Sequence, residues 1–174
     1  MNERSEPRID VSVHVDEGDE PPHSGVLQPD AVRSLVAYVL TSEGITRAAV
    51  GVVFCGDERI TALNREWLDR EGPTDVISFN LSGHPEAEPD APGHTEHGSP
   101  DPLEGEIYID LAQAARQASD YNVPIEEELR RLIIHGTLHL TGWEDSEEAG
   151  ASRMRERQEA LLADGSGRVL EDEA

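Results

Sequence analysis

The sequence predicts one α+β domain, a small mixed β-sheet of about four strands packed with about five helices. Three observations predict it. Residues 8–15 alternate apolar and polar side chains, the period of a half-buried strand. Val32, Leu35, Val36, Val39 and Leu40 recur at i, i+3, i+4, i+7 and i+8, the stripe of a helix with one buried face. Residues 48–55 form a short apolar run of buried-strand type. Strand and helix patterns follow one another without internal repeats, and 174 residues suit a single domain that buries roughly two-thirds of its unfolded surface.

The elements follow in order. Residues 1–7 are polar and read as a flexible start. Arg8 to Val15 is the first strand, with His14 on its polar face. An acidic loop with Pro and Gly occupies 16–25. Pro29-Asp30 opens the first helix, and Gly44 ends it. After the 48–55 strand, Asp57 is the expected N-cap of a helix carrying Ile60, Leu63, Asn64 and Trp67. Gly72-Pro73 breaks the chain, and Thr74 to Leu81 is a third strand. Residues 82–103 are rich in Ser, Gly, Pro, Glu and Asp and read as a mobile insertion. Its His84, His94 and His97 fit a solvated loop better than a second metal site. Gly105 to Asp110 is a fourth strand, followed by a helix with Leu111, Ala114, Ala115, Ala118 and Tyr121 on one face. Pro124 sits in the first turn of the next helix, whose stripe is Ile125, Leu129, Leu132 and Ile133. Gly142 closes it. Ser146 begins a last amphipathic helix with Met154, Leu161 and Leu162. The fold is thus expected to span 8–163, with 164–174 an acidic flexible tail.

The chain carries 37 acidic residues against 14 basic ones, a formal net charge of −23; every basic residue is Arg. The acids are spread along the chain, so tails alone do not account for them. Such a surface suits a very salty cytoplasm, where screening over about 3 Å at molar salt removes most self-repulsion. The one cysteine, Cys55, permits no disulfide within the chain and fits a reducing compartment. No signal peptide is visible, and no run approaches the ~20 apolar residues needed to cross a bilayer. The expectation is a cytoplasmic protein, a monomer or weak oligomer, with no membrane partner.

Residues 135–145, His-Gly-Thr-Leu-His-Leu-Thr-Gly-Trp-Glu-Asp, carry the chemistry. His135 and His139 are four apart, so their imidazoles stack on one helix face and can share a divalent metal, zinc first and other divalent ions second. Gly142 lets the chain leave the helix sharply, and Asp145 can swing back as third ligand. Three protein ligands leave one position open, as in catalytic rather than structural zinc. The register is close to that of metzincin proteases, which place a Glu directly after the first His as general base. Here Gly136 stands there and accepts no proton, which argues against peptide hydrolysis.

This motif resembles the signature of the YbeY family of endoribonucleases. Leu63-Asn64 and Pro73-Thr74-Asp75-Val76-Ile77-Ser78-Phe79 are similar to a second block of that family, and Gly105-Glu106-Ile107 to a third, in the right order over roughly 8–163. The resemblance implies a single-strand-specific, metal-dependent endoribonuclease. It implies action in small-subunit ribosomal RNA maturation at the 3′ end and in ribosome quality control, with zinc and a small mixed sheet packed by helices. His135 carries over as a ligand of the catalytic metal. Two departures stand out. Asp145 replaces the family's usual third His, adding a negative charge beside the metal. Leu68 stands where the family commonly has an Arg near substrate phosphate; Arg65 and Arg70 are the nearby substitutes, and Ser78 and Asn80 are further candidates for RNA contact. Arg59, Arg116, Arg130 and Arg131 complete the possible basic cleft. Two alternatives remain: a ribosome-assembly binding factor with a structural metal, and a metalloprotease-like hydrolase.

Overall fold

The computed structural model describes residues 6–16, 27–82 and 102–171, with side chains as far as Gly165. In chain order the elements are β1 (Arg8–Val15), α1 (Pro29–Ser42), β2 (Arg47–Cys55), α2 (Asp57–Leu68), β3 (Val76–Asn80), β4 (Leu103–Asp110), α3 (Leu111–Tyr121), α4 (Ile125–Leu140) and α5 (Glu148–Glu171). The strands form one mixed sheet in the order β1-β2-β4-β3. β1, β2 and β4 run parallel, and β3 runs antiparallel along the outer edge of β4. The α+β domain of four strands and five helices is therefore as the sequence predicts, among the described residues.

Side-chain alternation sorts the sheet into two faces. Val50, Val52, Phe54, Ile107 and Ile109 point to one side and pack with Val36, Leu40, Leu129, Ile133 and Leu140 of α1 and α4. Each such side chain contributes about 1.5–3 kcal/mol on burial. Cys55 and Ile77 point to the other side, where Ile60 and Leu63 of α2 cover them. α4 is the central helix. It packs on α1, α3, α5, β3 and β4, and nine of its residues are buried. One of them, Glu128, is paired at 2.8 Å with Arg131. Its closeness to the sheet depends on Gly136, where a Cβ would stand 2.7 Å from Ile107 Cγ2 and 3.1 Å from both Ser78 Oγ and Val76 Cγ2.

Several boundaries differ from the sequence reading, each for a local reason. The N-cap of α2 is Gly56, and Asp57 is the first helical residue. Pro124 likewise precedes α4 as its N-cap. β3 is shorter than 74–81, because the Asp75 carboxylate accepts from the Val76 N–H at the strand's start. β4 starts at Leu103, since Leu103 and Glu104 pair with Ala48 and Ala49 of β2. The 82–103 insertion is correspondingly trimmed at both ends: Ser82 Oγ donates to Glu104 O and accepts from Glu104 N. Residues 83–101, with His84, His94 and His97, lie outside the described residues. α5 begins at Glu148 rather than Ser146 and continues to Glu171. Tyr121 and Trp67, which share helix faces with buried residues, are 67% and 65% exposed at the ends of their helices.

Candidate metal centre

The last turns of α4 and the loop behind it bring three ligand atoms together. His135 Nε2 and His139 Nε2 are 3.0 Å apart. Asp145 Oδ2 is 3.5 Å from each. The loop closes because Gly142 adopts φ +105°, a backbone region that other residues rarely enter. Its N–H then bonds to His139 O, and Trp143 N–H bonds back to Leu138 O. Among the described residues this is the one cluster of three or more His, Cys, Asp or Glu within metal-binding reach.

The donor set fits a tetrahedral ion. Metal–ligand bonds of about 2.0–2.1 Å require ligand atoms about 3.3–3.4 Å apart, close to the three separations found. The outer ring nitrogens strengthen the fit. His139 Nδ1 is 3.0 Å from the Trp143 carbonyl, which only accepts, so Nδ1 carries the proton. His135 Nδ1 is 2.8 Å from Gln158 Oε1, whose amide nitrogen donates to Glu159. Both Nε2 atoms are thereby left as bare lone pairs facing one another and a carboxylate oxygen. Such a convergence is repulsive without a cation. Burial first, and the neighbouring His135 second, hold the His139 pKa below its ordinary value. Asp145 and the Trp143 carbonyl pull the other way.

A wider set of bonds fixes the loop. Trp143 Nε1 donates to Glu43 Oε2 at 2.9 Å, and Arg157 Nε donates to Glu43 Oε1 at 2.7 Å. The end of α1 and the middle of α5 are thus tied to the loop that carries Asp145. Gln158, Trp143, Glu43 and Arg157 are the functional residues that the sequence reading misses. For Gln158 a signal exists: it sits four after Met154 and three before Leu161, a polar residue on an otherwise apolar buried stripe.

A cleft of about 350 Å³ opens beside the ligands, lined among others by Leu68, Arg70, Ser78, His139, Glu144 and Asp145. The turn that carries Arg70 is held by Asn64, which is buried. Asn64 Nδ2 donates to Gly72 O, and its carbonyl accepts the Arg70 N–H across the left-handed Asp69 at φ +51°. The Leu63-Asn64 block thus shapes the turn that carries Arg70. Arg65 faces elsewhere and pairs with exposed Glu71 at 3.6 Å, a contact worth little in water. Ser78 Oγ lines the cleft while donating to Gly136 O at 2.8 Å, and Asn80 Nδ2 donates to Leu140 O at 3.4 Å. Both brace α4 against β3. Arg59, Arg116 and Arg131 are paired with Asp16, Asp57 and the Glu127–Glu128–Glu159 group. Arg130 lines a separate surface hollow with Glu126 and Glu159. The six arginines are therefore not gathered into one cleft, and Arg70 alone lines the one beside the ligands.

Comparison with known proteins places the chain in a family. A family model described as Endoribonuclease YbeY matches residues 26–165. An "Endoribonuclease YbeY" of Treponema denticola is 35% identical over 151 residues, 87% of this chain and 91% of that protein. One from Moorella thermoacetica is 35% identical over 156 residues, 89% of this chain and 96% of that protein. One from Salinibacter ruber is 32% identical over 136 residues, 78% of this chain and 82% of that protein. The solution structure of TM1509 from Thermotoga maritima superposes with a TM-score of 0.59 at 23% identity, over 93% of both chains, which speaks to the fold.

Proposed function

The chain belongs to the YbeY family, and from that premise we propose that it is a metal-dependent endoribonuclease that cuts single-stranded RNA in the maturation of ribosomal RNA. The observation that carries the reading is the convergence of three lone-pair atoms, on His135, His139 and Asp145, at the mouth of a cleft that also holds Arg70. Zinc is the proposed ion, and the 3′ end of small-subunit RNA, met on the small ribosomal subunit in the cytoplasm, the proposed substrate. Among the described residues no helix is long and apolar enough to cross a membrane. All three candidate ligands come from one chain.

When bound, a divalent metal supplies a Lewis acid for a phosphate oxygen and lowers the pKa of bound water. The chain's own residues do the rest. Gln158 and the Trp143 carbonyl hold both imidazoles with Nε2 inward. Asp145 adds negative charge to the ligand set. Arg70 offers a guanidinium to a phosphate in the cleft, the part for which Leu68 has no charge. The Arg70 side chain has no carboxylate partner among the described residues, which leaves its guanidinium for that phosphate. Glu144 lines the same cleft and offers a carboxylate for handling a proton. Position 136 provides no base, and any side chain there would run into Ile107.

The test is cleavage of single-stranded ribosomal RNA by zinc-loaded protein at molar salt, beside His139→Ala and a chelated sample. Cleavage by the loaded protein and by neither control is expected. Cleavage that survives both would overturn the metal mechanism. Bound but uncut RNA would assign the chain to assembly rather than catalysis.

A further inference from the structure

The cleft explains how a phosphate is held, but one cation is little for a chain of net charge −23. Proteins that grip single strands combine a positive groove with aromatic rings on which bases stack. The groove is nearly absent here, so affinity has to come from the bases. Beside the cleft lies a surface suited to them. Trp67, the penultimate residue of α2, is 65% exposed, and Leu68, which follows it in the chain, is 44% exposed. Trp67 is not a loose side chain. Phe79 braces it edge to face at 6.1 Å between ring centroids, and Tyr108 braces Phe79 in turn at 5.8 Å. The Tyr108 hydroxyl donates to Glu106, which fixes the last ring of the row. Leu68 belongs both to this patch and to the wall of the cleft that holds His139 and Asp145.

We propose that Trp67, with Leu68 beside it, is the stacking surface for an unpaired base next to the phosphate held in the cleft. The inference rests on the endoribonuclease reading. A braced, pre-positioned indole loses little freedom on binding, takes any base because every base has a π-face, and works at salt concentrations that screen phosphate contacts. It also selects for single strands, since a base stacked in a duplex does not reach it.

The experiment is binding of a short 2′-fluoro oligoadenylate, read by fluorescence anisotropy, to the zinc-loaded full chain and to Trp67→Ala and Trp67→Phe, beside an abasic strand of equal length. Trp67→Ala should weaken oligoadenylate binding roughly tenfold, Trp67→Phe should keep most of it, and the abasic strand should not tell the three apart. Zinc affinity and circular dichroism should be alike in all three. The logarithmic salt slope should be shallow, about −1 or less, as for contact with one or two phosphates. Equal oligoadenylate affinity in the wild type and Trp67→Ala overturns the stacking role, and a change of oligomeric state in Trp67→Ala with RNA affinity intact would assign the patch to a second copy. A wild type that binds and cuts no single-stranded RNA overturns the endoribonuclease reading itself.

Discussion

Replacing Gln158 with Met tests the metal centre through a residue that never touches the metal. Gln158 is buried, and its Oε1 lies 2.8 Å from His135 Nδ1. Met keeps the volume and the helix propensity but is only a weak hydrogen-bond acceptor. The orphaned Nδ1–H has two courses. It can stay unpaired, at about 1–3 kcal/mol, or the proton can move to Nε2 and occupy the lone pair that the metal needs. The His135 side chain is 26% exposed, so water recovers part of the loss. The expected weakening therefore sits at the low end of the range for such supporting contacts, about tenfold. The assay is a competitive zinc titration against a chelating dye, with thermal melting of the metal-free protein alongside. Zinc affinity should fall about tenfold while the metal-free melting temperature hardly moves, because without metal the relocated proton can bond to Asp145. Gln158→Glu supplies a stronger acceptor and should restore the affinity. Unchanged affinity in Gln158→Met, or a loss that Gln158→Glu does not restore, would refute the reasoning.

Three further outcomes follow from the same structure. Gly136→Ala should destabilise by up to about 2 kcal/mol, because overpacking against Ile107 costs about 1–3 kcal/mol against a gain of about 1 kcal/mol in helix propensity; a variant melting above the wild type contradicts this. Asp110 is fully buried, with Oδ1 capping α3 and Oδ2 lacking a donor among the described residues; burial first and Asp57 second push its pKa up to about 7, while Arg116 holds Asp57 down at about 2. A folded pKa above the unfolded one means stability that is full below about pH 4 and lost as pH rises to about 7, at most about 4 kcal/mol; Asp110→Asn should flatten urea stability between pH 5 and 8, and parallel pH curves for the two proteins would rule the account out. The −23 charge predicts that the melting temperature climbs from low to molar KCl, and a maximum in low salt would end that explanation.

Local patterns were readable where one face of an element is buried. The Val32–Leu40 stripe and the Arg8–Val15 alternation each reappear as an element of that kind, and the 48–55 run reappears as a strand buried on one face, with Ala49 exposed on the other. The pair His135 and His139 was readable because a helix converts a spacing of four into proximity. Helix ends are less so: periodicity carries no information on where a neighbour stops, and Trp67 and Tyr121 stand largely exposed at the ends of faces that are otherwise buried. Caps depend on one backbone angle, and Asp57 lost that place to the extended Gly56. The partner of His135 is 23 residues away on another helix, a distance that only tertiary packing closes. The arginines were illegible for the same reason, since whether a guanidinium meets a carboxylate or a cleft is decided by elements far apart in sequence.

The dependence of His135 on α5 has a consequence for biosynthesis. All three ligands leave the ribosome together, within residues 135–145, yet the acceptor that aims one ring emerges later, and so does Arg157, which helps to hold the loop through Glu43. A nascent chain that has released only α4 owns the ligands without their orientation. On the metal role proposed for these residues, the full grip on the ion waits until α5 has been synthesised and has docked.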